Sequence, residues 1–156
     1  MKETSLDIKD LQLNALLEVT QAVNNNLPEE DLLKIYKFTL LADLKIAKLA
    51  LFTQRNEEWV CRVNFGTKKN LLDSSLPEEY HSLKNQMGVQ DTSFEEFENV
   101  FPVYHKNKLL SVVFITSDTK LGVQNRFLNA LTNIILVAIE NKRLARQQLE
   151  QESYRR

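Results

Sequence analysis

The chain has 156 residues, 43% of them hydrophobic and 26% charged, with a formal net charge of -1. This length suits one domain whose core buries roughly 68–70% of the unfolded surface, and the even charge balance argues against a nucleic-acid partner, which needs concentrated Lys and Arg. Cys61 is the single cysteine, so no intramolecular disulfide forms, which fits a reducing cytoplasm.

From Leu6 to Asn25, Leu13, Leu16, Thr20, Val23 and Leu27 recur three and four apart, predicting a first helix that Asn24, Asn25 and Asn26 stop. Pro28 suits the first turn of a second helix, and Glu29, Glu30 and Asp31 favour the positive end of its dipole. Leu32, Leu33, Tyr36, Leu40 and Leu44 give that helix its buried stripe. The period then changes. Ala47 to Gln54 and Trp59 to Phe65 alternate as strands around the polar turn Arg55-Asn56-Glu57-Glu58, and so short a connection makes an antiparallel hairpin.

Gly66 to Asn99 is the least regular region. Ser75-Leu76-Pro77-Glu78 has the spacing of a capping box, with Leu76, Tyr80, Leu83 and Met87 on one face of a short helix ending at Gly88. A second short turn from Thr92 buries Phe94 and Phe97. Val100 to Tyr104 and Leu109 to Thr116 form a second hairpin around His105-Lys106-Asn107-Lys108, and the apolar residues Leu109, Leu110, Val112, Val113, Phe114 and Ile115 predict a central strand covered on both faces. From Gln124 a long helix runs toward the end. Leu128, Leu131, Ile135, Ala138, Lys142, Ala145 and Leu149 keep the three-four alternation of a coiled-coil seam. After Glu140 the helix is too polar to bury, so it is expected to leave a domain spanning 1–140 as a linker, 141–156, toward an absent following domain. Hairpins flanked by helices give an α+β fold, a central antiparallel sheet with the N- and C-terminal helices packed on one face.

Chemistry is sparse. His81, His105 and Cys61 have no metal-ligand spacing, and solvated histidines with a small half-buried cysteine are the favoured readings. Gly66, Gly88 and Gly122 are too far apart for a phosphate loop, and Glu78-Glu79 and Glu95-Glu96 read as first-turn helix charges. No catalytic constellation, metal site or cofactor is expected. The N-terminus lacks a signal-peptide core, and the run Ile134 to Ile139 is far short of the ~20 residues that span a bilayer. No membrane contact by this segment is expected.

Three stretches resemble a GAF domain, the small sensory module of bacterial signalling proteins. Leu13-Asn14-Ala15-Leu16-Leu17-Glu18-Val19-Thr20-Gln21-Ala22-Val23-Asn24 with Leu32-Leu33 is similar to the family's opening helices. Val100-Phe101-Pro102-Val103 through Leu109-Leu110-Ser111-Val112-Val113 is similar to its last hairpin, departing at Ser111, where many members have glycine. Phe127-Leu128 through Leu144 resembles its closing helix, and the tail resembles linkers that precede metal-dependent serine phosphatases of the sporulation and stress-response type, or histidine kinases and cyclases.

The resemblance implies a non-catalytic, cytoplasmic sensor that pairs with itself and signals through its exiting helix to a phosphatase or kinase domain. The pairing and signalling positions are Leu13, Leu16, Val23, Leu131, Ile135, Ala138, Lys142 and Leu149, with Lys142 either a polar break in the seam or simply exposed. An unidentified small molecule would lie between sheet and irregular segment, against Phe52, Phe65, Tyr80, Met87, Phe94 and Phe97; alternatively, these side chains fill that space themselves. A haem on His81 or a bilin tethered to Cys61, as some family members carry, has no supporting context. The rival readings are a ligand-free dimerisation module and a small stand-alone α+β enzyme.

Overall fold

A computed structural model describes residues 2–44, 46–117 and 125–154. Helix α1 spans Lys2–Asn24, α2 Glu29–Phe38 and α3 Asn125–Tyr154; the strands are β1 (Ile46–Arg55), β2 (Glu58–Phe65), β3 (Met87–Gly88), β4 (Asn99–His105) and β5 (Lys108–Ser117). They form one antiparallel sheet in the order β2-β1-β5-β4-β3, with the apolar strand β5 in the middle, as its composition predicts.

Both hairpins close through two-residue turns, tighter than the four-residue connections expected. Asn56 and Glu57 have φ of 53° and 69°, Lys106 and Asn107 50° and 67°, while Arg55 pairs with Glu58 and His105 with Lys108. Positive φ at both central positions matches the right-handed twist of the flanking strands. Helix α1 ends where the asparagines predict. Asn26, at φ 54°, donates its N–H to Val23 O, and Leu27 reaches back to Ala22 O, so the left-handed residue satisfies carbonyls that the helix leaves open. Pro28 sits just before α2 rather than inside it.

Helix α2 is shorter than its apolar stripe suggests. It passes at Thr39–Asp43 into a π-helical turn, closed by Leu44 N–H to Thr39 O at 3.2 Å, that still buries Leu40 and Leu44. Thr39 Oγ1 donates to Glu18 Oε2 at 3.2 Å, fixing this turn to α1. Tyr36 and Thr132 pin α2 to α3 through a buried 2.7 Å hydrogen bond. Because Thr132 spends its hydroxyl proton on Leu128 O, Tyr36 is the donor.

The helices cover one face. Ala15, Val19 and Ala22 of α1, Leu32 and Tyr36 of α2, and Leu128, Leu131, Ile135 and Ile139 of α3 pack on Leu49, Leu51, Val63, Phe65, Phe101, Val103, Val113 and Ile115. The opposite face carries a second core under the segment between β2 and β4. A bulge in β2 decides which residues go where. Leu51 pairs with Val63 and the next residue, Phe52, with Cys61, so Arg62 is the extra residue and strand parity flips across it. Trp59 and Cys61 therefore face one way, Val63 and Phe65 the other.

The helix predicted over Leu76 to Met87 is not formed. Only a 3₁₀ turn at Glu78–Tyr80 appears, and Met87–Gly88 is instead strand β3, paired with Val100 and Asn99. The second predicted turn is present at Thr92–Phe94, where Asp91 accepts the Ser93 N–H.

Candidate functional site

The second face of the sheet is where a ligand is expected, and its residues come from distant parts of the chain. Phe52 of β1, Trp59 and Cys61 of β2, Val100 of β4, and Val112 and Phe114 of β5 form the floor; Leu71, Leu76, Tyr80, Leu83, Phe94 and Phe97 form the roof. Hydrogen bonds from the strands hold the roof in place. Cys61 N–H donates to Ser74 O, Asp73 N–H to Cys61 O and Leu76 N–H to Trp59 O. Asn64 accepts the Leu71 N–H on Oδ1 at 2.9 Å and donates Nδ2 to Leu49 O at 2.9 Å. Tyr104 OH donates to Leu83 O at 2.7 Å.

Between floor and roof the rings fill the space. Phe114 is the hub: it stacks on Phe94 at 4.3 Å between centroids, meets Tyr80 edge-on at 5.0 Å, and lies 5.7 Å from both Phe52 and Phe97. Of the six pocket candidates, four belong to this cluster: Phe52, Tyr80, Phe94 and Phe97. Phe65 belongs to the helix-side core, placed there by the Arg62 bulge, and Met87 is exposed on β3. Tyr80 and Met87 do meet at a surface depression of about 270 Å³, together with Glu79, Gln90 and Asp91. There the Ser93 N–H holds the Asp91 carboxyl below its usual range, the bond to Asp91 raises that of Glu79, and burial pushes the Tyr80 phenol up to about 12.

The side chains of His81 and Cys61 are engaged within the chain, and His105 ends β4 opposite Lys108. His81 Nε2 lies 2.8 Å from Leu76 O, with its ring 5.9 Å from Trp59. Cys61 is buried, its Sγ donating to Val63 O, and burial pushes the thiol up to about 12. Among the described residues, no three His, Cys, Asp or Glu side chains are grouped to hold a metal ion. Native Cys61 should react with a thiol-specific reagent at pH 8 about 10³-fold more slowly than a free thiol, because so little thiolate exists, and at the ordinary rate once unfolded. A thiol pKa raised by folding stabilises the native state below the ordinary value of ~8.5, so that contribution is lost as pH climbs toward the native value. Rapid labelling of native protein would contradict this burial.

Ser111, fully buried at the centre of the sheet, directs Oγ to Phe52 O at 2.9 Å, so its hydroxyl is satisfied across β1 and β5.

The seam positions also divide. Leu131 and Ile135 are buried against the sheet, so they cannot face a second chain in this packing; Val23 and Ala138 are half-buried against the same core. Leu13, Leu16 and Leu149 are exposed. Lys142 is half-buried, and its ammonium donates to Asn26 O at 3.0 Å, capping the C-terminal end of α1. This role is invisible to seam spacing because Lys142 and Asn26 are distant in sequence.

Sequence reasoning also missed a charged cluster at the turn end of the sheet. Glu29 binds Arg55 and Arg62, and Glu140 binds Lys108 and Arg143. No periodicity connects residues drawn from two helices and three strands.

No family model matches this sequence, and no curated protein matches it. Solved structures do. A GAF domain assigned to a sensor histidine kinase from Pseudomonas syringae pv. tomato superposes with a TM-score of 0.68 at 13% identity, covering 97% of this chain and 99% of that one. The chain has the GAF fold. A second GAF domain, from the phosphoenolpyruvate-protein phosphotransferase of Coxiella burnetii, matches with a TM-score of 0.64 at 16% identity over 86% of this chain and 95% of that chain. The same GAF architecture occurs in an enzyme, the free methionine-R-sulfoxide reductase of Neisseria meningitidis solved with its substrate, with a TM-score of 0.63 at 13% identity over 86% of this chain and 91% of that one. At such identities the likeness concerns architecture, and activity has to be argued from the side chains of this chain. Among its described residues, no helix is long and apolar enough to cross a membrane.

Proposed function

We propose that this GAF domain is a non-catalytic, cytoplasmic regulatory module that pairs with a second copy and passes a change in that pairing along α3 to a following domain. The observation that carries this reading is the two-part character of α3. One uninterrupted helix is core from Leu128 to Ile139 and wholly exposed from Leu144 to Glu152. A rigid element with one end fixed in the core transmits displacement of that core, while its exposed Leu144 and Leu149 meet their counterparts in a partner. On α1, Leu13, Leu16 and Leu17 are exposed; the π-helical turn held to α1 by Glu18 adds exposed Leu41, next to exposed Phe38. Apolar side chains gathered this way favour association. Cys61 supports the non-catalytic part: a buried thiol pushed up to about 12 is a poor nucleophile.

Light scattering at micromolar concentration should report about twice the chain mass of 18.1 kDa. The double substitution Leu13→Glu and Leu17→Glu should return a folded monomer, checked by circular dichroism. A monomer across that range in the unsubstituted protein overturns the pairing.

A further inference from the structure

We propose that the cleft between the start of α2, the middle of α3 and the turn ends of the two hairpins binds a small apolar monocarboxylate. The cavity holds about 250 Å³, below the ~300–1,000 Å³ of sites for drug-sized molecules. Its apolar wall is made by Leu33 of α2, Leu110 of β5, and Leu136 and Ile139 of α3. Its charged wall consists of Arg55, Arg62, Lys108 and Arg143 against Glu29, Glu57 and Glu140, an excess of one positive charge.

Two features of the charged wall favour an anion. One oxygen of Glu29 is shared by Nη2 of Arg55 and, at 3.2 Å, Nη2 of Arg62. Glu140 is likewise divided, Oε1 to Lys108 Nζ at 3.2 Å and Oε2 to Arg143 Nη1 at 3.3 Å. Each guanidinium engages a carboxylate through one terminal nitrogen, and its remaining N–H donors match the bidentate geometry of a carboxylate. A single negative charge balances the excess, and a short hydrocarbon body covers the leucine and isoleucine wall. The site lies where α2 and α3 meet the turn ends of the hairpins, and of its lining only Leu109 also packs on the aromatic core.

Its position gives binding a consequence. Leu136, Ile139, Glu140 and Arg143 occupy the last partly buried turns of α3 before the exposed stretch from Leu144. A carboxylate that draws Arg143 away from Glu140 alters the base of that helix. This coupling rests on the regulatory reading above; the binding itself does not.

Titration calorimetry with octanoate should show saturable binding, weakened at least tenfold for the uncharged octanamide and for Arg62→Gln and Arg143→Gln. Both substitutions fall on partly exposed side chains and should preserve the circular dichroism spectrum. Amide shifts on adding octanoate should centre on residues 136–143 and 53–62. Equal binding of octanoate and octanamide, unchanged affinity in both variants, shifts centred on Tyr80 and Asp91, or no octanoate binding at millimolar concentration overturns the proposal. Light scattering with octanoate present separates the two readings: binding without dimers removes the signalling link and leaves the site.

Discussion

Replacing Phe114 by alanine is expected to destabilise the fold by about 3–5 kcal/mol. Phe114 lies on the middle strand with no exposed surface and contacts the rings of Phe52, Tyr80, Phe94 and Phe97. Truncation removes its own burial and leaves an unfilled space that the strand floor, bonded on both sides, cannot close. It also deletes the stacked contact with Phe94 and the edge contacts with Phe52 and Tyr80, each such pair worth about 0.5–1.5 kcal/mol beyond area. Since one kcal/mol moves the midpoint of a domain of this size by about 2–4 °C, Tm should fall by roughly 10 °C. Urea unfolding at fixed protein concentration measures the loss directly. A cost below 1 kcal/mol would mean that the roof collapses onto the floor without Phe114, and that the rings do not hold the two together.

Gly66→Ala should be comparably damaging through the backbone alone. Gly66 has φ of +79°, and a Cβ built on it would stand 1.9 Å from the carbonyl oxygen of Ala47 and 3.1 Å from Lys48 Cα. The conformational penalty at such a φ is about 1–3 kcal/mol. The overlap with β1 adds to it, because backbone cannot rotate away as a side chain can. A total of about 3 kcal/mol or more is expected. Gly88→Ala provides the comparison: its nearest neighbour, Glu98 O, is 3.8 Å away, so that change should be nearly neutral. Similar unfolding midpoints for the two variants would contradict the close passage of Gly66 over β1.

Much of the architecture was legible because it depends on local period. The switch from three-four spacing to alternation marks the boundary between α2 and β1, and the apolar residues from Leu109 to Ile115, broken only by Ser111, mark the strand buried on both faces. Where the reading failed, distant residues decided the outcome. Trp59 through Phe65 alternates without a break, so nothing local announces that an extra Arg62 turns Phe65 toward the helices. Leu76, Tyr80, Leu83 and Met87 have helical spacing, yet the first three cap an apolar sheet face and Met87 pairs with Val100, contacts that a helix could not make together. Leu131 and Ile135 show that a helix stripe facing a sheet and a seam facing another helix share one spacing. The charged cleft was hidden for a different reason, since Glu29, Arg55, Arg62, Lys108, Glu140 and Arg143 acquire meaning only when the fold assembles them.

The short return of the chain along the outer side of β2 also bears on how the sheet can pair with another strand. Cys61 has both its backbone groups engaged by Ser74 and Asp73, and Trp59 O is taken by Leu76. A sheet margin occupied in this way offers little template to an incoming strand. At the opposite margin β3 pairs with Asn99 and Val100 of β4, and farther along that strand the carbonyls of Pro102 and Tyr104 accept from the side chains of Asn129 and Asn133. Extension of the sheet from one molecule to the next is therefore discouraged at both ends, despite the strongly apolar strands between them. Closed margins, rather than charge, are what oppose edge-to-edge pairing of this sheet.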